Sequence, residues 1–272
     1  MKAVIPAAGL GTRMLPVTKT QPKEMLPILN KPAIHYVVEE AVNSGCEDIL
    51  IITGRTKRAI EDYFDRSPEL EEFLRKKGKE RELEEIRKIS EMANIMYIRQ
   101  KEPLGLGHAI MLAEKFVGNE PFVILLGDDI IINDEPATKT LMDIYTQTGD
   151  PVIGVIKVPL QETSKYGIVK TSSISNPPVY VVDDLVEKPK PEEAPSNLAI
   201  VGRYLLTPEI FTYLKNIKKG KGGEYQLTDA LKLFSFSRRL LAVEVKGERL
   251  DIGSPKSWLE ANIFMGKRMG LL

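Results

Sequence analysis

Short apolar runs alternate with amphipathic stretches along the first part of the chain. KAVIPA at residues 2–7 is apolar and stops at a glycine-rich turn, as a buried strand does. Between residues 33 and 44, Ala33, Ile34, Val37, Val38, Ala41 and Val42 fall on one helical face, and Gly45 follows as a stop. The runs ILIIT at 49–53, IMYI at 95–98 and FVILL at 122–126 are rich in β-branched residues and read as further buried strands. GHAIMLAEKF at 107–116 reads as a helix before the last of them. Strands that alternate with helices predict a mostly parallel sheet covered on both faces.

The pattern changes in the second half. VIGVIKV, IVKTSSI, VYVVDDLVE and AIVGRYLL, all within 152–206, are strand-like and have little helix between them. They predict hairpins or a mixed extension of the same sheet. Pro208 opens a short helix, QLTDALKLF at 226–234 reads as another, and LLAVEV at 240–245 as a late strand. Ser254-Pro255 pairs an N-cap residue with a proline at the first helical position. No repeat or long linker divides the chain, so one domain over 1–272 is expected, with functional halves at about 1–130 and 131–272. The stretch 69–91 is dense in both charges, with Gly78 as a break, and predicts a solvated helical hairpin at the domain edge. KKGKGGEYQ at 218–226 reads as a mobile loop.

Composition narrows the partners. Lys plus Arg and Asp plus Glu each total 38 in 272 residues, so there is no net charge to favour a nucleic acid or a membrane. A single cysteine, Cys46, fits a reducing compartment. The first residues lack the long apolar core of a signal peptide, and no apolar run reaches the ~20 residues that cross a bilayer, so a cytoplasmic protein is expected.

The chemistry begins directly after the first strand. In Ala7-Ala8-Gly9-Leu10-Gly11-Thr12-Arg13 the glycines let backbone N–H groups approach phosphate oxygens. No Gly-Lys-Ser/Thr follows, which excludes a P-loop. Met14 stands where a dinucleotide fingerprint has its third glycine, and Thr53-Gly54-Arg55 supplies no acid after the second strand. An NAD(P) dehydrogenase is therefore disfavoured. Lys23, in a segment bounded by Pro16 and Pro22, joins Arg13 as a second cation suited to a triphosphate. Asp128 ends the strand FVILL-Gly-Asp, at the sheet edge where ligands gather, with Asp129 beside it; Asp251 precedes the last capped helix. Such carboxylates suit Mg²⁺, which takes one or two of them and completes its octahedron with phosphate and water.

The blocks Ala8-Gly9-Leu10-Gly11-Thr12-Arg13-Met14-Leu15-Pro16, Pro22-Lys23-Glu24-Met25-Leu26-Pro27, Gly105-Leu106-Gly107-His108-Ala109, Glu187-Lys188-Pro189 and Gln226-Leu227-Thr228-Asp229-Ala230 keep their order over nearly the whole chain. Together they resemble the nucleotidyltransferases that make sugar nucleotides, most of all the bacterial-type UTP–glucose-1-phosphate uridylyltransferases. The resemblance implies a three-layer α/β/α, Rossmann-like fold with a mostly parallel mixed sheet. It implies that Ala8, Gly9, Leu10, Gly11 and Thr12 hold the nucleotide, that Arg13 and Lys23 hold its phosphates, and that Gln100 and Gly105 read the base. Asp128 and Asp251 would bind Mg²⁺, with Arg13, Lys23 and Asp128 as the catalytic set. Asp129, Gly167, Glu187, Lys188 and Val201 would line the sugar phosphate site. The expected substrates are UTP and glucose 1-phosphate, with dTTP open because thymine and uracil share their hydrogen-bonding edge, and a homo-oligomer is implied. A non-catalytic nucleotide-sugar sensor is a second reading, opposed by the presence of Arg13, Lys23, Asp128 and Asp251. His35 and His108 are expected to pack or cap rather than to bind metal.

Overall fold

A computed structural model describes the backbone of residues 1–176 and 179–272, and the side chains of these except 172–176. The first half contributes strands β1 (Lys2–Pro6), β2 (Pro27–Ile28), β3 (Lys31–Pro32), β4 (Asp48–Thr53), β5 (Asn94–Arg99) and β6 (Phe122–Leu125). The second contributes β7 (Asp129–Ile132), β8 (Val152–Lys157), β9 (Gly167–Asn176), β10 (Val179–Glu187), β11 (Leu198–Leu206), β12 (Leu241–Glu244) and β13 (Glu248–Asp251).

One nine-stranded sheet, in the order β5-β4-β1-β6-β11-β8-β12-β10-β9, runs through both halves. It is parallel from β5 to β6. Beyond β6 it is mixed, with β8 and β12 parallel and the other neighbours antiparallel. β9 and β10 form the hairpin that the clustered second-half strands predict.

The alternation along each strand shows why both faces are covered. Ala3 and Ile5 join one core cluster and Val4 the other; Val123 and Leu125 join the first, Phe122 and Ile124 the second. All of these are fully buried, each large side chain contributing about 1.5–3 kcal/mol relative to exposure. Helices α1 (Ala33–Asn43), α2 (Arg58–Phe64), α7 (Ala137–Thr148) and α10 (Pro255–Arg268) cover one face. Helices α5 (Leu106–Met111), α6 (Glu114–Val117), α8 (Ile210–Leu214) and α9 (Leu227–Ser235) cover the other. The result is the three-layer α/β/α arrangement.

Local chemistry sets the element ends. Ser254 and Ser257 form a reciprocal capping box at the start of α10, with Pro255 at its first position. The single helix expected over 107–116 is instead two, because Leu112 and Ala113 donate to Ala109 and Ile110, three residues back, and tighten the turn between α5 and α6. The charged stretch forms the hairpin α3 (Pro68–Lys76) and α4 (Glu80–Ser90), broken at Gly78 with φ 68°. Leu74, Leu83 and Glu71 are its buried residues, and Arg66 and Arg87 both donate to the Glu71 carboxylate. Among the described residues, no helix is long and apolar enough to cross a membrane.

Candidate active site

The glycine turn after β1 is anchored by the Ala7 N–H, which donates to the Ile52 carbonyl at 2.8 Å. Gly11 takes φ 66° there, a conformation that a side chain would strain. The chain then passes through short 3₁₀ turns, the last of which, Lys23–Met25, carries Lys23 back under the glycines. A Cβ on Gly9 would lie only 4.0 Å from the Lys23 ammonium nitrogen, so the turn and the cation form one surface.

Asp128 emerges where β6 ends, and its side chain pairs with Lys23. Burial pulls the Lys23 ammonium down, but Asp128 and Glu24 outweigh it and hold the lysine above its ordinary range. Burial likewise pushes the Asp128 carboxyl up, and the Lys23 charge reverses this and keeps it below the ordinary carboxylate range. Both groups are therefore charged at neutral pH. Behind them, Lys57 donates to Glu24 at 2.7 Å in a buried pair; burial still drives the Glu24 carboxyl upward against that pull.

Antiparallel pairing of β7 with β13 sets Asp129 opposite Asp251, and the Ile252 N–H donates to the Asp128 carbonyl at 3.3 Å. This pairing brings Asp251 to Asp128 from the far end of the sequence. The Gly253 N–H donates to Asp251 Oδ1 at 2.7 Å, and a Cβ on Gly253 would come within 2.7 Å of Arg13 Nη2. Arg13 and Asp251 thus close on the same glycine.

Two adjoining cavities result. The first is lined by residues 8–12, Lys23, Glu24, Gln100 and Gly105. The second is lined by Arg13, Asp129, Gly167, Glu187, Lys188, Arg249 and Asp251. Leu106, Leu126, Asp128 and Glu224 belong to both, so the cavities meet at Asp128. The expected nucleotide residues fall in the first cavity and the expected sugar phosphate residues in the second, with two qualifications. Arg13 stands on the second side, beside Asp251. Val201 is fully buried, between Ile200 and Gly202, which do line the wall.

Polar contacts orient several of these groups. Gln100 Nε2 donates to the Gly105 carbonyl at 3.1 Å and sits 2.8 Å from His108 Nδ1. Thr228 Oγ1 donates to Glu187 Oε2 at 2.6 Å, and Lys188 Nζ lies 3.0 Å from Glu187 Oε1. Lys188 takes φ 47°, and its N–H donates to the Tyr166 carbonyl at 2.8 Å. Both carboxylate oxygens of Asp129 accept from Arg249.

Some of this was hidden in the sequence. The end of the stretch 218–226, expected to be a mobile loop, is tied to the turn at 104–107: the Tyr225 N–H donates to the Leu104 carbonyl and the Gly107 N–H to the Tyr225 carbonyl, both at 2.8 Å. Glu224 and Gln226 of that stretch line the site. Thr228, Tyr166 and Arg249 also line it, and His108 backs Gln100; Arg249 shares the strand of the expected ligand Asp251 and has no spacing signal of its own. His35, as expected, is buried, and its Nδ1 is 3.0 Å from the Tyr63 hydroxyl.

Metal fit follows from the donor set. Among the described residues, no three His, Cys, Asp or Glu side chains gather as a closed cage. Asp128 and Asp251 share one cavity with four cations around it, Arg13, Lys165, Lys188 and Arg249. Two carboxylates in a cavity that also holds four cations suit a hard cation whose other ligands would be anionic oxygens and water.

A glycine turn and a lysine–aspartate pair at the carboxyl edge of the sheet, set between two adjoining cavities, describe a site that can hold two phosphorylated ligands against one another. Residues 2–268 match the Nucleotidyl transferase family, and this chain belongs to it. It is 58% identical over 265 residues to the UTP–glucose-1-phosphate uridylyltransferase YngB of Bacillus subtilis strain 168, covering 97% of this chain and 89% of that protein. It is 54% identical over 262 residues to the UTP–glucose-1-phosphate uridylyltransferase of Staphylococcus epidermidis RP62A, covering 96% and 91%. Among solved structures, a UDP-glucose pyrophosphorylase complexed with UDP-glucose superposes with TM-score 0.89 at 46% identity, covering 98% of each chain. A UTP-bound enzyme of the same activity from Acinetobacter baumannii superposes with TM-score 0.91 at 39% identity, covering 98% of this chain and 93% of that one.

Proposed function

We propose that this protein transfers a uridylyl group from UTP to glucose 1-phosphate, forming UDP-glucose and pyrophosphate. The observation that carries the reading is the seam at Asp128, where a glycine-walled cavity with Lys23 opens into a cavity with Glu187 and Lys188. The names of the relatives agree with it.

In this reading UTP lies in the first cavity, served by about the first 130 residues, and glucose 1-phosphate lies in the second. The amide nitrogen of Gln100 is committed to Gly105 and His108, which leaves its carbonyl oxygen to accept from the N3–H of uracil. Glu187, fixed by Thr228, accepts from sugar hydroxyls, and an epimer that leaves it unpaired is penalised. Lys188 takes the sugar's phosphate, Gly167 gives the ring close access, and Asp129 completes the wall, with Val201 buried behind it.

A phosphate oxygen of glucose 1-phosphate forms a bond to the α-phosphorus of UTP. The bond from that phosphorus to the β-phosphate's bridging oxygen breaks, and pyrophosphate leaves with the electron pair. The nucleophile is already an anion, so alignment and charge neutralisation carry the catalysis and no base is needed. Lys23 and Arg13 steady the α-phosphate and the departing pyrophosphate from either side of Asp128. Asp128 and Asp251 would hold Mg²⁺, which supplies further neutralisation of the reacting phosphates.

The test is pyrophosphate release by the purified chain with Mg²⁺ and glucose 1-phosphate, given UTP, dTTP, ATP, CTP and GTP in separate reactions. Release with UTP is expected; dTTP activity would show only that the C5 methyl is tolerated. No release with UTP would overturn the reading.

A further inference from the structure

Arg249 lines the second cavity with its orientation fixed by the buried Asp129 and by Tyr166. Its Nε donates to Asp129 Oδ1 at 2.8 Å, its Nη2 to Asp129 Oδ2 at 2.9 Å, and its Nη1 to the Tyr166 hydroxyl at 3.0 Å. The guanidinium carbon stands 5.1 Å from the centre of the Tyr166 ring. Asp129 is itself immobilised from behind. The fully buried Arg203 donates to its backbone carbonyl at 2.7 Å and is locked in turn by Glu40 at 2.7 Å. The guanidinium is thus preorganised by a chain of contacts that begins in the core.

A plain counter-ion for Asp129 would need no opening. Arg249 keeps one: its side chain is 17% exposed, and it lines the cavity that holds Gly167 and Lys188. A guanidinium has five N–H donors, and three are used here, leaving one on each terminal nitrogen. A planar cation with donors still free, facing a cavity with Lys188, suits phosphate oxygens better than uncharged hydroxyls.

We propose that Arg249 grips the phosphate of the sugar 1-phosphate beside Lys188, with Asp129 and Tyr166 acting as positioning residues. The inference rests on the uridylyl-transfer reading of the site. Lys188, half-buried and paired with Glu187 at 3.0 Å, supplies a point charge; Arg249 supplies the fixed direction that an in-line attack requires.

The experiment measures the KM for glucose 1-phosphate and the dissociation constant for UTP in the native chain, in Arg249→Lys, and in the double variant Asp129→Asn/Arg249→Gln. The double variant leaves no orphaned charge behind. Both variants should raise the glucose 1-phosphate KM roughly tenfold or more and leave UTP binding unmoved. A merely structural pair would weaken both ligands together. A native chain that makes no UDP-glucose counts against the uridylyl-transfer reading. A working native chain with an unchanged glucose 1-phosphate KM in folded Arg249→Lys overturns the role of Arg249 alone. A crystal structure of the native chain with glucose 1-phosphate decides the matter should the variants misfold. An Arg249 terminal nitrogen at hydrogen-bond distance from a phosphate oxygen is expected, and a guanidinium turned away from the phosphate refutes the proposal.

Discussion

Lys23 and Asp128 are 105 residues apart in sequence and form an ion pair at the seam between the two cavities. Each holds the other charged against the pull of burial, so the site keeps an ammonium and a carboxylate ready at neutral pH. Lys23→Ala and Asp128→Ala should each lower kcat by roughly a hundredfold or more, because the charge that each supplies acts on the reacting phosphates. Steady-state pyrophosphate release on folded variants checks this, and near-native turnover in either one refutes the assignment.

Gly105 should be intolerant of any side chain. Its φ is 107°, and a Cβ would lie 2.7 Å from both Glu224 Cβ and the Tyr225 carbonyl oxygen. Gly105→Ala would push Glu224 and Tyr225 off the turn at 104–107 and release Gln100. A rise of roughly tenfold in the UTP KM is expected, with a stability loss of about 1–3 kcal/mol. Substrate titration and urea unfolding on the same preparation measure both.

The Glu40–Arg203 pair ties helix α1 to strand β11 beneath the second cavity, with Thr138 N–H and hydroxyl also donating to Glu40. Burial pushes the Glu40 carboxyl up, but Arg203 and Thr138 more than offset this and hold it below its ordinary range. Arg203→Met strands a buried carboxylate and should lose about 3–5 kcal/mol at neutral pH. A folded pKa below the unfolded one gives stability that is present above the ordinary carboxylate range and lost as pH falls through the folded value. Acidification should therefore weaken the native chain more than Arg203→Met, and the gap between their unfolding midpoints should narrow. A gap that widens toward acid would contradict the pairing.

Chelation of divalent cations should abolish pyrophosphate release, and added Mg²⁺ should restore it. Asp251→Asn should raise the Mg²⁺ concentration for half-maximal rate roughly tenfold or more, with the fold intact. Full activity in the presence of chelator would remove the metal from the mechanism.

Much of the fold was legible because its signals are local. The apolar runs 2–7, 49–53 and 122–126 became β1, β4 and β6, and Ser254-Pro255 opened α10. The misread elements were those whose state depends on distant partners. Nothing within 218–226 reveals that Tyr225 will bond with Leu104 and Gly107, since its glycines and lysines are those of a free loop. The 107–116 segment has the periodicity of one helix, and the tightening at Ala113 leaves no mark in it. His108 was expected to pack or cap, and only the folded chain sets it against Gln100.

By itself the sequence determined the alternating order of strands and helices, the glycine turn, the expected cations and acids, and the membership of the family. Periodicity and motif spacing act over a few residues and need no knowledge of the rest of the chain. Only the tertiary structure decided which acid meets which cation. The β7–β13 pairing carries Asp251 to Asp128, the return of the chain under the glycines carries Lys23 there, and the core ion pair behind Asp129 aims Arg249. Those contacts join residues far apart in sequence, and they exist only once the sheet has brought its carboxyl edge together.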